Sequence, residues 1–259
     1  MQVRRVPALA GWRWVTEGFA ILASSPMPLI ASGIMMIFTL LVLSAPPVLG
    51  QFLPLVVSPA LSFGYLQAIR RAQEGKPPAP WTIFSGLRPA PDGPMRSLLV
   101  IGLINATATA LAILATAPVD GGQWLRMLTS TTAADAPPAA AVDTVYAAMV
   151  FLALYAPLQL ALWYAPLFAG LHRTPPFKSL FFSIVAVWRN KAAFLMYFVG
   201  WFVVAIGMAV LIQVLAALLP AGLRTLILAP AFLLMMAALY CSFWPSYRDA
   251  IDPIAIDPL

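Results

Sequence analysis

The sequence predicts an all-α fold, a polytopic membrane bundle of six transmembrane helices with three amphipathic interfacial helices. Three observations carry this expectation. Hydrophobic residues fill 62% of the 259 positions and charged residues only 9%, against roughly 25% charged in a soluble globular domain. Six apolar runs, each near the ~20 residues that cross a bilayer, lie at 27–45, 49–69, 97–117, 145–171, 192–219 and 222–244. The basic residues are one-sided. Arg4, Arg5 and Arg13 precede the first run. Arg70, Arg71, Lys76, Arg88 and Arg96 lie between the second and third, and Arg173, Lys178, Arg189 and Lys191 between the fourth and fifth. Arg248 follows the sixth, so that only Arg126 and Arg224 of fifteen fall opposite. By the positive-inside rule the expected topology is multi-pass with both termini cytoplasmic.

Ahead of the first run, Trp12, Val15, Phe19 and Leu22 recur at spacings of three and four, while Arg13, Thr16, Glu17 and Ser24 fall on another face. That is the pattern of a helix lying in the membrane interface, ended by Pro26. The long polar lead with Arg13 and Glu17 argues against a cleavable signal, so the first run is expected to remain as an anchor. Arg4-Arg5 stands too far from the apolar segment to read as a twin-arginine signal.

The second run contains "SPALSFGYLQAIRR" (58–71), with a proline where a helix would leave the membrane. Proline lacks an N–H and leaves a carbonyl one turn earlier without its partner. Membrane helices tolerate it when neighbours or side chains such as Ser58 satisfy that carbonyl. Pro166 and Pro230 occupy the other two inward spans, so kinks are expected at Pro59, Pro166 and Pro230.

"WTIFSGLR" (81–88) sets Trp81, Phe84 and Leu87 three apart and reads as the second interfacial helix. The third span carries Gly102, Ala106 and Ala110 at four-residue spacing, which lets helices approach closely. Asn105 and Thr109 lie on the adjoining stripe. They read either as hydrogen-bonding groups across a helix interface or, together with Tyr164, as a polar interior lining a path. The outward loop 118–144 is rich in Ala, Pro and Thr and is expected to be mobile, apart from a short helix at "GQWLRML". "FKSLFFSIVAVWRN" (177–190) aligns Phe177, Phe181, Ile184 and Trp188 as the third interfacial helix.

The chain is thus expected to be a single integral membrane domain, 1–259, with an internal repeat over 9–71, 79–173 and 175–248. Each repeat would enter and leave on the same side, making the three parallel and not inverted.

Chemistry finds little foothold. No Asp, Glu, Lys or Arg lies in the middle of a span, which argues against an ion-coupled pump. The lone His172 has neither a nucleophile nor an orienting acid in a recognisable motif. One His and one Cys cannot supply a zinc site, Cys241 has no partner for an internal disulfide, and there is no Gly-rich phosphate loop. No catalytic residue, metal or cofactor is therefore expected, and no nucleic-acid partner. The expected partners are membrane lipid and other membrane proteins. A basic and aromatic belt, Arg13, Trp14, Arg70, Arg71, Trp81, Arg88, Arg173, Lys178, Trp188 and Arg189, is the candidate contact for lipid headgroups. An ordinary orientation bias produces a similar belt.

Three stretches, "VPALAGWRWVTEGFAIL", "GKPPAPWTIFSGLR" and "WYAPLFAGLHRTPPFKSLFFSIVAVWRNKAAFLMY", resemble a family of uncharacterised proteobacterial six-span inner-membrane proteins. More distantly, they look like the membrane domain attached to some glycerophosphodiester phosphodiesterases. The resemblance implies location and topology and transfers no activity. Two functional expectations stand: a non-enzymatic binding, assembly or membrane-organising component, or a permease or channel for an apolar solute or lipid. A mid-membrane cavity lined by Asn105, Thr109 or Tyr164 would favour the second.

Overall fold

The computed structural model describes residues 3–47, 49–91, 93–129, 141–218 and 221–251. Among the described residues no β-strand occurs, and extended backbone pairs only as an antiparallel bridge between Val3 and Ile251. The helices are α1 (Ala10–Ser24), α2 (Pro26–Ser44), α3 (Leu49–Gln73), a 3₁₀ helix (Pro80–Leu87), α4 (Met95–Leu114), α5 (Ala117–Asp120) and α6 (Gln123–Thr129). They continue with α7 (Ala141–Leu162), α8 (Ala165–Leu171), α9 (Pro176–Arg189), α10 (Lys191–Leu218) and α11 (Ala221–Ala250). Among the described residues five segments are long and apolar enough to cross a membrane: Pro26–Ser44, Leu49–Gln73, Met95–Asp120, Asp143–Leu171 and Lys191–Leu215, with mean hydropathy from 1.5 to 2.4. The sixth expected run lies within α11, a helix of 30 residues.

The chain divides into two compact units, residues 1–37, 63–85 and 185–259 in the first, 38–62 and 86–184 in the second. In the first, α1 packs along α10 and α11. Small residues permit the approach. A Cβ at Gly11 would overlap the Ala193 carbonyl, and one at Gly18 would stand 2.5 Å from the Ser242 Cβ. The buried face of α1 is Ala10, Gly11, Trp14, Val15, Gly18, Ile21 and Leu22, so the apolar stripe expected from spacing is split. Val15 and Leu22 go inward while Trp12 and Phe19 stay exposed. Trp14 sets its ring edge-on to Phe194 and Tyr197 at 5.6 and 6.0 Å. The chain before α1 is tied down as well: Arg4 N–H donates to the Ala250 carbonyl at 2.9 Å. The Asn190 side chain both accepts from Val6 N–H and donates to the Arg4 carbonyl, each at 2.9 Å.

In the second unit α4 packs on α7 and α8. The short helix expected at "GQWLRML" is α6. Asp120 caps its start, its two carboxylate oxygens accepting from Gly122 N–H and Trp124 N–H at 2.9 Å each. The segment 130–140 of the expected mobile loop lies outside the described residues. The fourth span is broken at Trp163 and Tyr164, where α7 gives way to α8. α8 itself closes on Arg173 in the left-handed region (φ 49°), with Thr174 N–H donating back to the Phe168 carbonyl at 3.3 Å.

Candidate functional site

One polar residue of the α4 stripe, Asn105, answers a proline in another helix. Pro59 cannot donate to the Leu55 carbonyl, and α3 nevertheless remains helical through it. Two side chains take the place of the lost N–H: Ser58 Oγ donates to that carbonyl at 3.1 Å and Asn105 Nδ2 at 3.2 Å. Asn105 can reach it because Gly102, one turn earlier on α4, lies so close to α3 that a Cβ there would overlap the Val56 carbonyl. The spacing of Gly102 and Asn105 therefore brings one surface to bear on one backbone defect.

This coupling has a measurable form. Asn105→Ala is expected to cost about 1–2 kcal/mol in the wild-type background, the loss of a buried amide bond. In a Pro59→Ala background the restored N–H serves the carbonyl and the same substitution should cost clearly less. Unfolding curves in detergent for the four proteins of the cycle give the coupling; additive losses would contradict it.

Asn105 Oδ1 and Thr109 Oγ1 are buried one turn apart and have no hydrogen-bond partner among the described residues. Tyr164, the third residue expected in the polar interior, sits at the α7–α8 break. Its N–H would ordinarily reach the Leu160 carbonyl, but the Ser183 hydroxyl of α9 is inserted between them. Tyr164 N–H donates to Ser183 Oγ at 2.9 Å, and Ser183 Oγ donates to the Leu160 carbonyl at 2.8 Å. A side chain in the helical ladder is a sufficient cause of the break. Pro166 follows as the second residue of α8, whereas Pro59 and Pro230 lie inside unbroken helices.

The basic and aromatic belt divides in the structure. Trp14, expected to meet headgroups, is instead fully buried; its ring fills the contact of α1 with α10, and its Nε1 donates to Asp249 Oδ2 at 3.0 Å. Arg13 is ion-paired to the same oxygen at 2.6 Å. Arg71, Arg88, Arg173, Lys178 and Arg189 are exposed. Trp81 is 63% exposed, on a 3₁₀ helix whose Gly86 tucks against the Ala60 carbonyl while Gly64 of α3 tucks against Ile83. The third interfacial helix presents the expected stripe without a cover: Phe177 is 75% exposed, Phe181 61%, Ile184 42% and Trp188 66%. Lys191 Nζ lies 5.5 Å above the Trp188 ring. Arg70 is half-buried, its guanidinium carbon 5.7 Å above the ring of Trp244.

Sequence reasoning passed over Ser183, one of two serines in "FKSLFFSIVAVWRN". It also passed over the charges joining the two ends of the chain. Arg248 Nη2 pairs with Glu17 at 2.9 Å and with Asp249 at 3.2 Å, closing with Arg13 a four-charge network between α1 and the end of α11. Glu17 four residues after Arg13 was the one local signal; the partners 231 and 236 positions away were not visible.

Burial alone would raise the Asp249 pKa, but hydrogen bonds from Trp14 and Arg13 and the charges of Arg248 and Arg13 hold it below its ordinary value of 3.8. A depressed carboxylate contributes stability that is fully present above the unfolded pKa and is lost as pH falls through the folded one. The wild-type melting temperature should therefore drop as pH is taken below 3.8. Asp249→Asn should start lower at pH 7 and show a smaller drop; parallel profiles would exclude Asp249 as the titrating group.

Over 254 aligned residues the chain is 32% identical to a probable inner membrane protein of Burkholderia thailandensis, an alignment spanning 96% of this chain and 93% of that one. No family model matches the chain, and no solved structure matches it. These comparisons lend no support to the more distant likeness to membrane domains of glycerophosphodiester phosphodiesterases.

Proposed function

Since the chain belongs to the family of the Burkholderia thailandensis probable inner membrane protein, we propose that it is a six-span inner-membrane protein with both termini in the cytoplasm. It works without enzymatic activity, as a binding, assembly or membrane-organising component. The observation that carries this reading is the use made of the α4 stripe: Asn105 and Gly102 serve contact with the α3 backbone. Polar groups committed to holding helices together suit a packed scaffold, and a scaffold binds with its surface. That surface includes the uncovered aromatic stripe of α9.

The three interfacial helices support the repeat. Each docks a small residue on the backbone of an inward span: Gly18 on Ser242, Gly86 on Ala60, and Ser183 on the Leu160 and Tyr164 pair. The 3₁₀ helix meets the span of the first repeat, α9 that of the second and α1 that of the third.

The second reading, a permease or channel for an apolar solute or lipid, is favoured by one observation, the unpartnered Asn105 Oδ1 and Thr109 Oγ1. Single cysteines at Asn105 and Thr109 in a Cys241→Ala background separate the two. The scaffold reading expects no labelling by a membrane-impermeant thiol reagent from either side, and labelling from one side or both would favour a path. Reporter fusions at the C-terminus and between 130 and 140 test sidedness, with opposite sides expected.

A further inference from the structure

We propose that α7 pairs with α7 of a second copy of the chain inside the membrane, along a seam that ends at Gln159. The seam is Val145, Met149, Leu152, Ala156 and Gln159, at steps of four, three, four and three. That spacing is the contact stripe of helices packed side by side at about 20°. Val145, Met149 and Leu152 are each more than half exposed, and Ala156 is exposed as well. Ala147 and Ala161, on the opposite face, are buried, so α7 turns this seam away from the rest of its unit.

Gln159 sets this seam apart from an ordinary lipid-facing stripe. It lies sixteen residues after Asp143 and twelve before Leu171 in the apolar segment Asp143–Leu171, so its side chain is too short to reach either headgroup layer. It is partly exposed, and among the described residues no group donates to its amide or accepts from it. An amide held in hydrocarbon without a partner is costly. By contrast, Asn105 donates to the Leu55 carbonyl, Gln51 is engaged, and Gln213 stands two residues from the end of its span.

A second copy supplies the matching group at the matching depth. Copies inserted in one sense run their α7 helices parallel, and a twofold axis along the membrane normal sets each seam residue across from itself. A carboxamide carries both a donor and an acceptor. Across that axis each Gln159 Nε2 can donate to the other Oε1, a self-complementary pair, whereas an acyl chain offers neither donor nor acceptor. Ala156, one turn earlier in the seam, adds little bulk to hold the helices apart. Parallel pairing needs only that all copies share one orientation, so the inference does not depend on which side the termini face.

The test uses the full-length protein in lipid vesicles, with association read as energy transfer between labelled copies while the protein is diluted in lipid. Gln159→Leu should raise the dissociation constant about 5- to 30-fold, the worth of an amide bridging membrane helices, and Gln159→Asn should keep part of the affinity. A second measurement leaves Gln159 in place. In a Cys241→Ala background, Leu152→Cys should cross-link between copies under mild oxidation. Leu154→Cys should not, since Leu154 is also exposed but lies on another face of α7. The proposal is overturned if the wild type stays monomeric at every dilution or if Gln159→Leu associates as tightly as the wild type. It is equally overturned if the two cysteines cross-link alike, or if Leu152→Cys in native membranes joins only a different protein. The reporter fusions test sidedness separately, and their failure leaves this pairing standing.

Discussion

Ser183→Ala is expected to destabilise the protein by about 3 kcal/mol, because removing one hydroxyl orphans two backbone groups at once. Tyr164 N–H and the Leu160 carbonyl both depend on it. Tyr164 and Ser183 are fully buried, so water does not readily replace it. An unsatisfied buried group costs about 1–3 kcal/mol. For a chain of this size each kcal/mol moves the melting temperature by roughly 2–4 °C, which gives a drop of about 6–12 °C. Ser183→Thr retains the hydroxyl and should recover most of the loss. If Ser183→Ala melted with the wild type, the α7–α8 break would have to be able to close into regular helix, and the inserted hydroxyl would be a consequence of the break, not its cause.

Gly102→Val is expected to have a comparable effect by another route. The new Cβ would overlap the Val56 carbonyl, a backbone atom that cannot move aside alone. Overpacking of this kind costs about 1–3 kcal/mol. Separating α3 from α4 also draws Asn105 away from the Leu55 carbonyl, adding the loss of that bond. Gly207→Ala is the control: nothing lies within 4 Å of a Cβ at Gly207, and alanine is the better helix former by about 1 kcal/mol. Gly207→Ala should match or exceed wild-type stability. Equal tolerance of Gly102→Val would mean that the two helices are not held at the observed approach.

Much of the local structure was legible because it depends on neighbours in sequence. The α9 stripe of Phe177, Phe181, Ile184 and Trp188 followed from a period of 3.6, and so did the helical character of the apolar runs. The Trp81, Phe84 and Leu87 spacing of three suits the 3₁₀ geometry found there. Trp14 was misassigned for a definite reason. Beside Arg13, it reads as an interfacial anchor, and nothing local announces that Gly11 and Gly18 bring α1 close enough to α10 and α11 to bury the indole. Trp12, two residues away, remains exposed.

The sequence by itself determined that the chain is helical, that its apolar runs match a bilayer, that basic residues cluster in alternate segments between those runs, and that α3 needs help at Pro59. Those properties follow from composition and from periods of a few residues. Only the tertiary structure decided who supplies the help: Asn105 for the Leu55 carbonyl 50 positions away, Ser183 for the α7–α8 break, and Asp249 for Arg13 and Trp14 across 236 and 235 positions. The physical reason is common to all three. Where apolar side chains offer little preference among packings, the unsatisfied backbone groups and charges select the arrangement, and their partners lie on other helices that sequence periodicity does not connect.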